Sequence, residues 1–452
     1  MRKLDGVGHS AMKAIVVFYH ARRGLPLREA NASHLFCWRR YSKYRTVYVN
    51  VAFPVPWTLL HRLDIAAVIF DTIFLSMHWS PDYFAAHAYK CAPVKQLRCP
   101  KIGVVQDEFI NMDCVVKFLA DVGITHLLTA STAADWPTIY DGLDFDRVQF
   151  RTVLTGYVDE TRLKKVERRR LADRPIDIGY RAWANPYWLG EHGLKKVQIA
   201  EKIVAAARNR SLVLDISNPE ATRFLIGDDW FDFLLECKAV LGVEGGSSVF
   251  DRDGSVKRRV EAYLSEHCNA SFEETRDHCF SAEEGSLREL KALSPRHLEA
   301  AMTGTCQILL EGNYNGVLAP WRHYVPLKGD YSNLKEVLDV VGDVARMQAI
   351  ADCANEEIIA SQAWSYRRFV GEIERDIIDS SASHSVGLRS GTALYLLLRG
   401  CDRLFWVFAH FESSAIGKRL FATIQRCQWI ASGVKLRLRH TWLGHSQPSV
   451  RS

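Results

Sequence analysis

Short apolar runs recur along the chain, and the segments between them are long enough to form helices. In the first 160 residues these runs cover 14–19, 46–51, 65–70, 101–105, 124–130 and 149–154. Strands that are apolar along their whole length are typical of a parallel sheet covered on both faces by crossover helices. The pattern therefore predicts a doubly wound α/β domain at the start of the chain.

The same pattern begins again after a charged stretch, 161–174, which we predict to be a linker helix. Strands are predicted at 176–180, 211–216, 239–243, 306–310 and 323–327, and helical segments at 193–208, 228–238, 254–267, 284–303 and 333–341. Two successive arrays predict two Rossmann-like domains that face a cleft, with ligands at the carboxyl ends of the strands.

The predicted domains cover residues 1–163 and 164–379, and the second includes a long helix over 344–378. A basic extension, 380–452, follows a Ser/His-rich linker and is predicted to be α-helical.

The cysteines indicate a reducing compartment. Eleven of them are spread from Cys37 to Cys427 without any C-x-x-C spacing. The first apolar run is too short for the core of a signal peptide, so we expect a cytoplasmic protein.

The net charge of +6 is concentrated in the extension. Residues 380–452 contain ten Lys or Arg and two acidic residues, which leaves about −2 for residues 1–379. An enzyme that acts on nucleic acid is usually basic on its main body, so we expect no nucleic-acid partner.

The extension mixes leucine and aromatic residues with arginines. Arg399, Asp402 and Arg403 interrupt its first apolar run, which is too short and too charged to span a bilayer. This composition favours amphipathic helices at an anionic membrane surface, at the inner face of the plasma membrane. The alternative is a helical extension that packs on the body of the protein or on a second subunit, which would give a homo-oligomer.

A helix start precedes the strand at 306–310. Ser294 is a suitable N-cap and Pro295 a suitable first residue, so the free N–H groups of Arg296, His297 and Leu298 could hold a diphosphate. Glu299, one turn further on, could accept hydrogen bonds from ribose hydroxyls. The alternative is a surface glutamate that the helix dipole stabilises.

Glycine-containing loops follow several strands. Gly245, Gly246 and Ser247 follow the strand at 239–243 and could let backbone and hydroxyl groups approach a ligand closely. The next residues, Asp251 to Gly254, lack the ligand set of a calcium loop and favour a turn with a helix cap.

The run "SPRHLEAAMTGTCQILLEG" and the following "NYNGVLAPWRHYVPLKGDYSNLKEVL" resemble the nucleotide-binding end of GT-B glycosyltransferases. More narrowly, they are similar to the bacterial group 1 and spore-maturation-like branch, as is "CKAVLGVEGGSSVFDRDG". The resemblance covers about 100–379, and only weakly the residues before it.

The resemblance implies a metal-independent transferase that moves a sugar from a UDP- or GDP-linked donor to a saccharide or lipid-linked acceptor. It implies no cofactor beyond that co-substrate, and a role in bacterial surface polysaccharide or glycolipid synthesis. Other enzymes of the same build, such as a nucleotide-sugar epimerase, and an inactive scaffold of this fold are the alternatives.

The resemblance also implies roles for individual residues. Glu311, Gly312 and Asn313 would lie near the donor sugar or phosphates, whereas Asp330, Ser332 and Asn333 suit a helix cap equally well. An arginine and a lysine after the strand at 176–180 would bind the donor diphosphate, which indicates Arg181 and Lys195. The longer insertion at 182–193 leaves the choice between Lys195 and Lys196 open.

An inverting transferase also needs a base for the acceptor hydroxyl. Asp107 and Glu108 follow the strand at 101–105 and are the candidates. In a retaining enzyme they would bind the acceptor instead. His20 and His78 are weaker alternatives, because a lone histidine near a strand end is more often structural.

Overall fold

The computed structural model describes residues 13–22, 27–182, 184–217, 225, 227–285, 287, 290–381 and 392–413. Two parallel sheets dominate this part of the chain, one in each half. The predicted pair of Rossmann-like arrays is therefore confirmed.

The first sheet has six parallel strands in the order β2-β1-β3-β4-β5-β6. Its strands are β1 (Ala14–Tyr19), β2 (Arg45–Asn50), β3 (Ile65–Phe70), β4 (Lys101–Val105), β5 (His126–Thr129) and β6 (Gln149–Thr152). The helices of this half are α1 (Glu29–Tyr41), α2 (Trp57–Leu60), α3 (Thr72–Leu75), α4 (Pro81–Ala88), α5 (Met112–Val122), α6 (Trp136–Ile139) and α7 (Glu160–Leu163). Every residue of β1 and β4 is buried, because helices cover both faces.

The second sheet has five parallel strands in the order β13-β12-β9-β7-β8. Its strands, with a separate antiparallel pair β10 and β11, are β7 (Ile176–Tyr180), β8 (Leu214–Ile216), β9 (Cys237–Gly242), β10 (Gly245–Gly246), β11 (Lys291–Ala292), β12 (Cys306–Leu310) and β13 (Val325–Leu327). The remaining helices are α8 (Gly190–Ala207), α9 (Asp228–Glu236), α10 (Ser255–Glu266), α11 (Phe272–Cys279), α12 (Pro295–Thr303), α13 (Leu334–Gly342), α14 (Val344–Ala354), α15 (Tyr366–Ile373) and α16 (Thr392–Ser413).

Shorter helical turns complete the described elements. They are 3-10 turns at Ser76–Trp79, Tyr89–Gln96, Leu171–Asp173, Tyr187–Leu189 and Tyr314–Gly316, and π-helical turns at Asn355–Ala360 and Glu374–Asp379. Of the linker helix predicted over 161–174, only the end of α7 and the turn at Leu171–Asp173 form.

The region between β10 and β11 joins the two halves. Ile110 and Asp251 form a parallel β-bridge, in which Asn111 N donates to Asp251 O (2.8 Å) and Asp251 N donates to Phe109 O (2.8 Å). Buried side chains of α10 and α11 belong to the same apolar core as the helices of the first sheet. The Asp251 carboxylate caps α10 by accepting from Val256 N (3.0 Å) and Lys257 N (2.8 Å), as the turn-and-cap interpretation predicted.

The chain then returns to the first sheet. Tyr366, Phe369 and Val370 of α15 pack in the core formed by β1, β3 and α1. The range 164–379 had placed this helix in the second domain, but its apolar face lies on the first.

α16 lies beside β2, the edge strand of the first sheet. The rest of the predicted extension, 382–391 and 414–452, lies outside the described residues. Among the helices that the structure describes, none combines the length and apolar character needed to cross a bilayer.

Candidate active site

Charged side chains from both halves meet where the strands of the two sheets end. Asp107 follows β4 in the first half, whereas Lys196 on α8 and Arg296 on α12 belong to the second. Electrostatic interactions link Lys196 to both Asp107 and Arg296. Cations of the second half and a carboxylate of the first half thus lie close enough to interact electrostatically.

Lys196 is the α8 lysine that interacts electrostatically with Arg296 and Asp107. Burial and the nearby Arg296 lower its pKa, and Asp107 partly offsets them. Lys195, the predicted candidate, lies 3.9 Å from Glu191 one turn earlier on the same helix. The helical period could have identified Lys196, since it lies on one face with His192, Ile199 and Ile203, which are buried.

Arg296 stands in the first turn of α12. Its Nη1 donates to the backbone oxygen of Arg181 (2.5 Å), and its guanidinium lies 5.1 Å from the ring centroid of Trp230. The side chain is open to the cleft, yet surrounding protein atoms lower its pKa, an effect that Glu299 partly offsets. A cation held in this way is suited to an anionic ligand.

Arg181 does not join this pair. Its guanidinium forms an ion pair with Asp215 (2.7 Å), donates to Asp215 O (2.8 Å) and lies 4.1 Å from the ring centroid of Phe233. The predicted donor-binding role of the Arg181 side chain is therefore not supported. A salt-bridge partner on the neighbouring strand β8, which no local pattern indicates, turns the side chain away.

Glu299 faces a pocket between the two halves. Trp230 Nε1–H donates to Glu299 Oε2 (2.8 Å), and burial raises the pKa of this carboxyl. The pocket is narrow, with a volume of about 20 Å³ between α1, α9 and α12, which is room for about one water molecule. Its other walls include Glu29, Arg162 and Phe231. A carboxylate oriented by an indole in a pocket can accept further hydrogen bonds from hydroxyl groups.

The other predicted residues at the start of α12 are largely engaged within the protein. His297 N donates to Ser294 O (3.0 Å), and the His297 ring is buried with its pKa lowered to about 3. No described residue hydrogen-bonds its Nε2 atom. Leu298 is buried in the apolar core beside α12. Of the three residues, Arg296 alone presents a charged side chain to the cleft.

The loop after β12 is held in a left-handed conformation. Tyr314 and Asn315 have φ angles of 46° and 52°, values that are uncommon outside glycine. Tyr314 N donates to Glu244 Oε1 (2.7 Å), and Leu293 N donates to Asn315 Oδ1 (2.6 Å).

The Glu244 carboxylate also packs closely against the backbone of that loop at Gly312. A Cβ at Gly312 would clash with the Glu244 carboxylate, so a larger residue at 312 would displace the Glu244 side chain. Glu311, Gly312 and Asn313 are exposed at the carboxyl end of β12, and their place near the donor sugar or phosphates stays a prediction. Glu244 was not among the predicted site residues, although it follows β9 just as Asp107 follows β4.

The glycine-serine loop after β9 is structural. Gly246 has a φ of 111°, and a Cβ there would clash with Leu290 O, because Gly245 and Gly246 pair with β11. Ser247 is buried and its hydroxyl donates to Leu189 O (3.0 Å) or Val249 O (2.9 Å). The predicted ligand contact of Ser247 is not supported, because backbone oxygens already engage its hydroxyl.

Asp107 and Glu108 point in different directions. Asp107 is exposed, has a φ of 56° and accepts from Trp79 Nε1 (3.1 Å). Glu108 is buried and accepts hydrogen bonds from Thr129 and Tyr140. Burial raises the pKa of Glu108 to about 7. The geometry therefore favours Asp107 and does not support Glu108 as the base.

The two weaker histidine candidates lie in the first half. His78 is buried, with Nδ1 2.8 Å from Leu75 O and Nε2 3.1 Å from Asp107 O, so it supports the backbone at Asp107. His20 lies 3.0 Å from the Tyr83 hydroxyl, and burial lowers its pKa to about 4.

Within the described residues, one group has side chains close enough to hold a metal ion: His323, Cys353 and Glu357. Ala319 N donates to His323 Nδ1 (3.1 Å), which places the ring proton on Nε2, 2.9 Å from Glu357 Oε2. Arg322 also binds this carboxylate. A ring whose two nitrogens are occupied in this way does not suit a metal ligand.

No protein-family model and no curated protein sequence matches this chain. Among solved structures, an alpha-glucosyltransferase in complex with UDP-glucose and DNA containing an abasic site is 8% identical, with a TM-score of 0.50 over 81% of this chain and 99% of that one. HepE from Anabaena in complex with UDP-glucose is 11% identical, with a TM-score of 0.43 over 80% and 100% of the two chains. TarM is 11% identical, with a TM-score of 0.41 over 69% of this chain and only 54% of its own. The match to the alpha-glucosyltransferase shows that this chain has the GT-B fold.

Proposed function

We propose that this protein is a glycosyltransferase that moves a sugar from a nucleotide-sugar to an acceptor bound in the first half. The observation that carries the proposal is the placement of charged residues at the ends of strands in two Rossmann-like sheets. Asp107 follows β4, Arg296 donates to the backbone oxygen of Arg181 after β7, and the Tyr180 hydroxyl at the end of β7 donates to Lys196 O. In such sheets ligands bind at the carboxyl ends of the strands, where these three side chains lie.

The donor lies on the second half. Lys196 and Arg296 bind its diphosphate, and Glu299, which Trp230 Nε1–H orients, accepts hydrogen bonds from the ribose hydroxyls. The exposed Glu311 and Asn313 lie at the next strand end, where the sugar would be held. UDP-sugars are the first donors to test, since the alpha-glucosyltransferase of this fold was solved with UDP-glucose.

The reaction exchanges one bond for another at the anomeric carbon. The bond from this carbon to the β-phosphate oxygen breaks, and a bond to the acceptor hydroxyl oxygen forms. Cations near the diphosphate stabilise the charge that develops on the leaving group. In the inverting form of the reaction, Asp107 takes the proton of the acceptor hydroxyl.

The acceptor is a saccharide or lipid-linked saccharide of bacterial surface polysaccharide or glycolipid synthesis. The basic extension supports this part of the proposal, because ten of its residues are Lys or Arg and two are acidic. Such a segment is attracted to the anionic inner face of the plasma membrane. The enzyme would then be peripheral, at the surface where lipid-linked acceptors are found.

A thermal-shift panel of UDP, GDP and their sugars tests the donor site. A nucleotide that binds only the folded state stabilises it by about 2.7 kcal/mol at 100 times its Kd. We expect one nucleotide family to raise the Tm, and Lys196→Ala and Glu299→Ala to remove this shift. Lys195→Ala is the matched control and should keep it, because Lys195 pairs with Glu191.

The absence of any shift at millimolar nucleotide would contradict the donor site, as would loss of the shift in Lys195→Ala but not in Lys196→Ala. Assays with the stabilising donor then separate the enzyme classes. Release of nucleoside diphosphate that requires a saccharide acceptor supports transfer. Isomerised donor without acceptor would instead indicate an epimerase.

A further inference from the structure

α16 runs beside β2 in the same direction as that strand. At its start, Arg45 Nη1 donates to the Thr392 hydroxyl (3.3 Å). Further along, Phe405 lies 5.7 Å from Phe53, which follows the carboxyl end of β2. α16 therefore leads from the amino end of the first sheet to the end at which the acceptor is proposed to bind.

The inner face of α16 is packed on the protein. Trp406 stacks on Tyr19 with ring centroids 5.8 Å apart and contacts Phe36. Asp402 is buried, accepts from the Tyr19 hydroxyl (3.0 Å) and pairs with Arg39 (2.5 Å). These contacts fix the rotation of the helix about its axis.

The outer face is apolar and open to solvent. Leu396, Leu397, Leu404 and Val407 lie on one side of α16 and are between 56% and 64% exposed. Phe53, which contacts Phe405 of α16, and Tyr89 are also exposed. The segments that carry Phe53 and Tyr89 are joined by a hydrogen bond, in which Lys90 Nζ donates to Val51 O (2.7 Å). Several exposed apolar side chains on one helix face are typical of an interaction site.

Residues 392–452, which form and follow α16, contain nine Lys or Arg and two acidic residues, Asp402 and Glu412. The acidic side chain described on α16, Asp402, faces inward, whereas Arg403 is exposed. The following 39 residues, 414–452, contain seven Lys or Arg and neither Asp nor Glu. A cationic, apolar surface is complementary to anionic lipid headgroups above an acyl layer.

We propose that the outer face of α16, with Phe53 and Tyr89, docks the protein on an anionic lipid bilayer. The inference rests on the proposed peripheral location of the enzyme and assigns the surface that makes the contact. A second copy of the chain would bring two cationic surfaces together, and the basic segment 414–452 would meet the same repulsion. Anionic lipid neutralises both. Docking through this face holds the proposed acceptor end of the first sheet beside the bilayer surface, within reach of a lipid-linked acceptor.

Co-sedimentation of the full chain with vesicles tests the docking surface. We expect binding to phosphatidylcholine vesicles that contain phosphatidylglycerol, weaker binding to phosphatidylcholine alone, and a marked loss between low and high salt. Leu397→Glu with Leu404→Glu should weaken binding at least tenfold. Val204→Glu, at an exposed position of α8, adds an acid elsewhere and should leave binding unchanged.

Two results would overturn the inference. In the first, the Leu397→Glu, Leu404→Glu variant binds vesicles as tightly as the wild type does. This result would assign binding to the basic segment alone. The other is a chain that ignores vesicles but is a dimer by light scattering and becomes monomeric in that variant. The Tm of each variant is measured as a check of folding. The nucleotide-induced Tm shift is measured in parallel, so that failure of the donor site is distinguished from failure of the docking surface.

Discussion

Asp107 and Glu108 are neighbours in sequence, but their side chains occupy opposite environments. We expect Asp107→Asn to lower turnover by about 10²- to 10⁴-fold in an inverting enzyme, because the acceptor hydroxyl loses its base. Glu108→Gln should retain turnover, since Glu108 is buried with Thr129 and Tyr140. Steady-state rates of donor consumption with acceptor compare the two variants. Loss of activity in Glu108→Gln alone would reverse the assignment.

Glu108→Gln should instead change how stability depends on pH. The native carboxyl, with its pKa raised to about 7, keeps a proton that the unfolded chain loses near pH 4.5. Between these values the native state binds more protons, so its stability falls as pH rises, by about 3 kcal/mol at 1.36 kcal/mol per pKa unit. Denaturant unfolding at pH 4.5 and 8 should show that this fall is absent from Glu108→Gln. Asp107→Asn serves as the control.

At the residue scale, the sequence predicts which positions stand at strand ends but not where their side chains point. Arg181 and Ser247 follow strands as predicted, yet Asp215 engages the first and backbone oxygens engage the second. The sequence did not decide whether Lys195 or Lys196 binds the donor diphosphate. In each case the deciding partner is remote in sequence or depends on the phase of a helix within the folded protein.

The loop after β12 depends on one carboxylate. Left-handed conformations at Tyr314 and Asn315 cost about 1–3 kcal/mol each, and the hydrogen bond from Tyr314 N to Glu244 helps to offset this cost. We expect Glu244→Ala to raise the KM for the donor at least tenfold, with a smaller change in kcat, because the loop loses its bound conformation. Glu244→Gln retains an acceptor oxygen and should keep most of the affinity.

Donor titrations of both variants, with their Tm values, measure this effect. A folded Glu244→Ala variant with an unchanged KM for the donor would show that the loop does not contact the sugar or phosphates. An equal loss in Glu244→Gln would show that the charge, rather than the hydrogen bond to Tyr314, is what matters.

At the element scale, the strands were predicted best because buried parallel strands are apolar along their length. The predicted strands at 14–19, 65–70, 101–105, 176–180 and 306–310 form with those bounds. The helical segment predicted at 284–303 contains β11 and α12 instead, because Lys291 and Ala292 pair with two glycines more than 40 residues earlier. The helix predicted at 344–378 is interrupted before α15, where Tyr366 N donates to Val158 O (3.1 Å). Both departures come from pairing between distant segments.

At the scale of the whole molecule, the two halves share contacts that single-domain patterns do not predict. Trp188, in the second half, lies 5.6 Å from the ring of Trp79 in the first half and is buried. Trp79 in turn donates to Asp107. The position of the proposed base therefore depends on packing between the halves.

Trp188→Ala should destabilise the protein by about 3–5 kcal/mol, as expected for removing a buried aromatic side chain. Because the lost contacts span both halves, hydrogen exchange should accelerate in Ser76–Trp79 and at the end of β4 as well as around Trp188 itself. Trp321→Ala is the matched control, because Trp321 is partly exposed. The guanidinium of Arg346 lies over its ring, and both residues belong to the second half. Faster exchange confined to 185–207 would mean that the halves are energetically independent, and that Asp107 keeps its position without support from the second half.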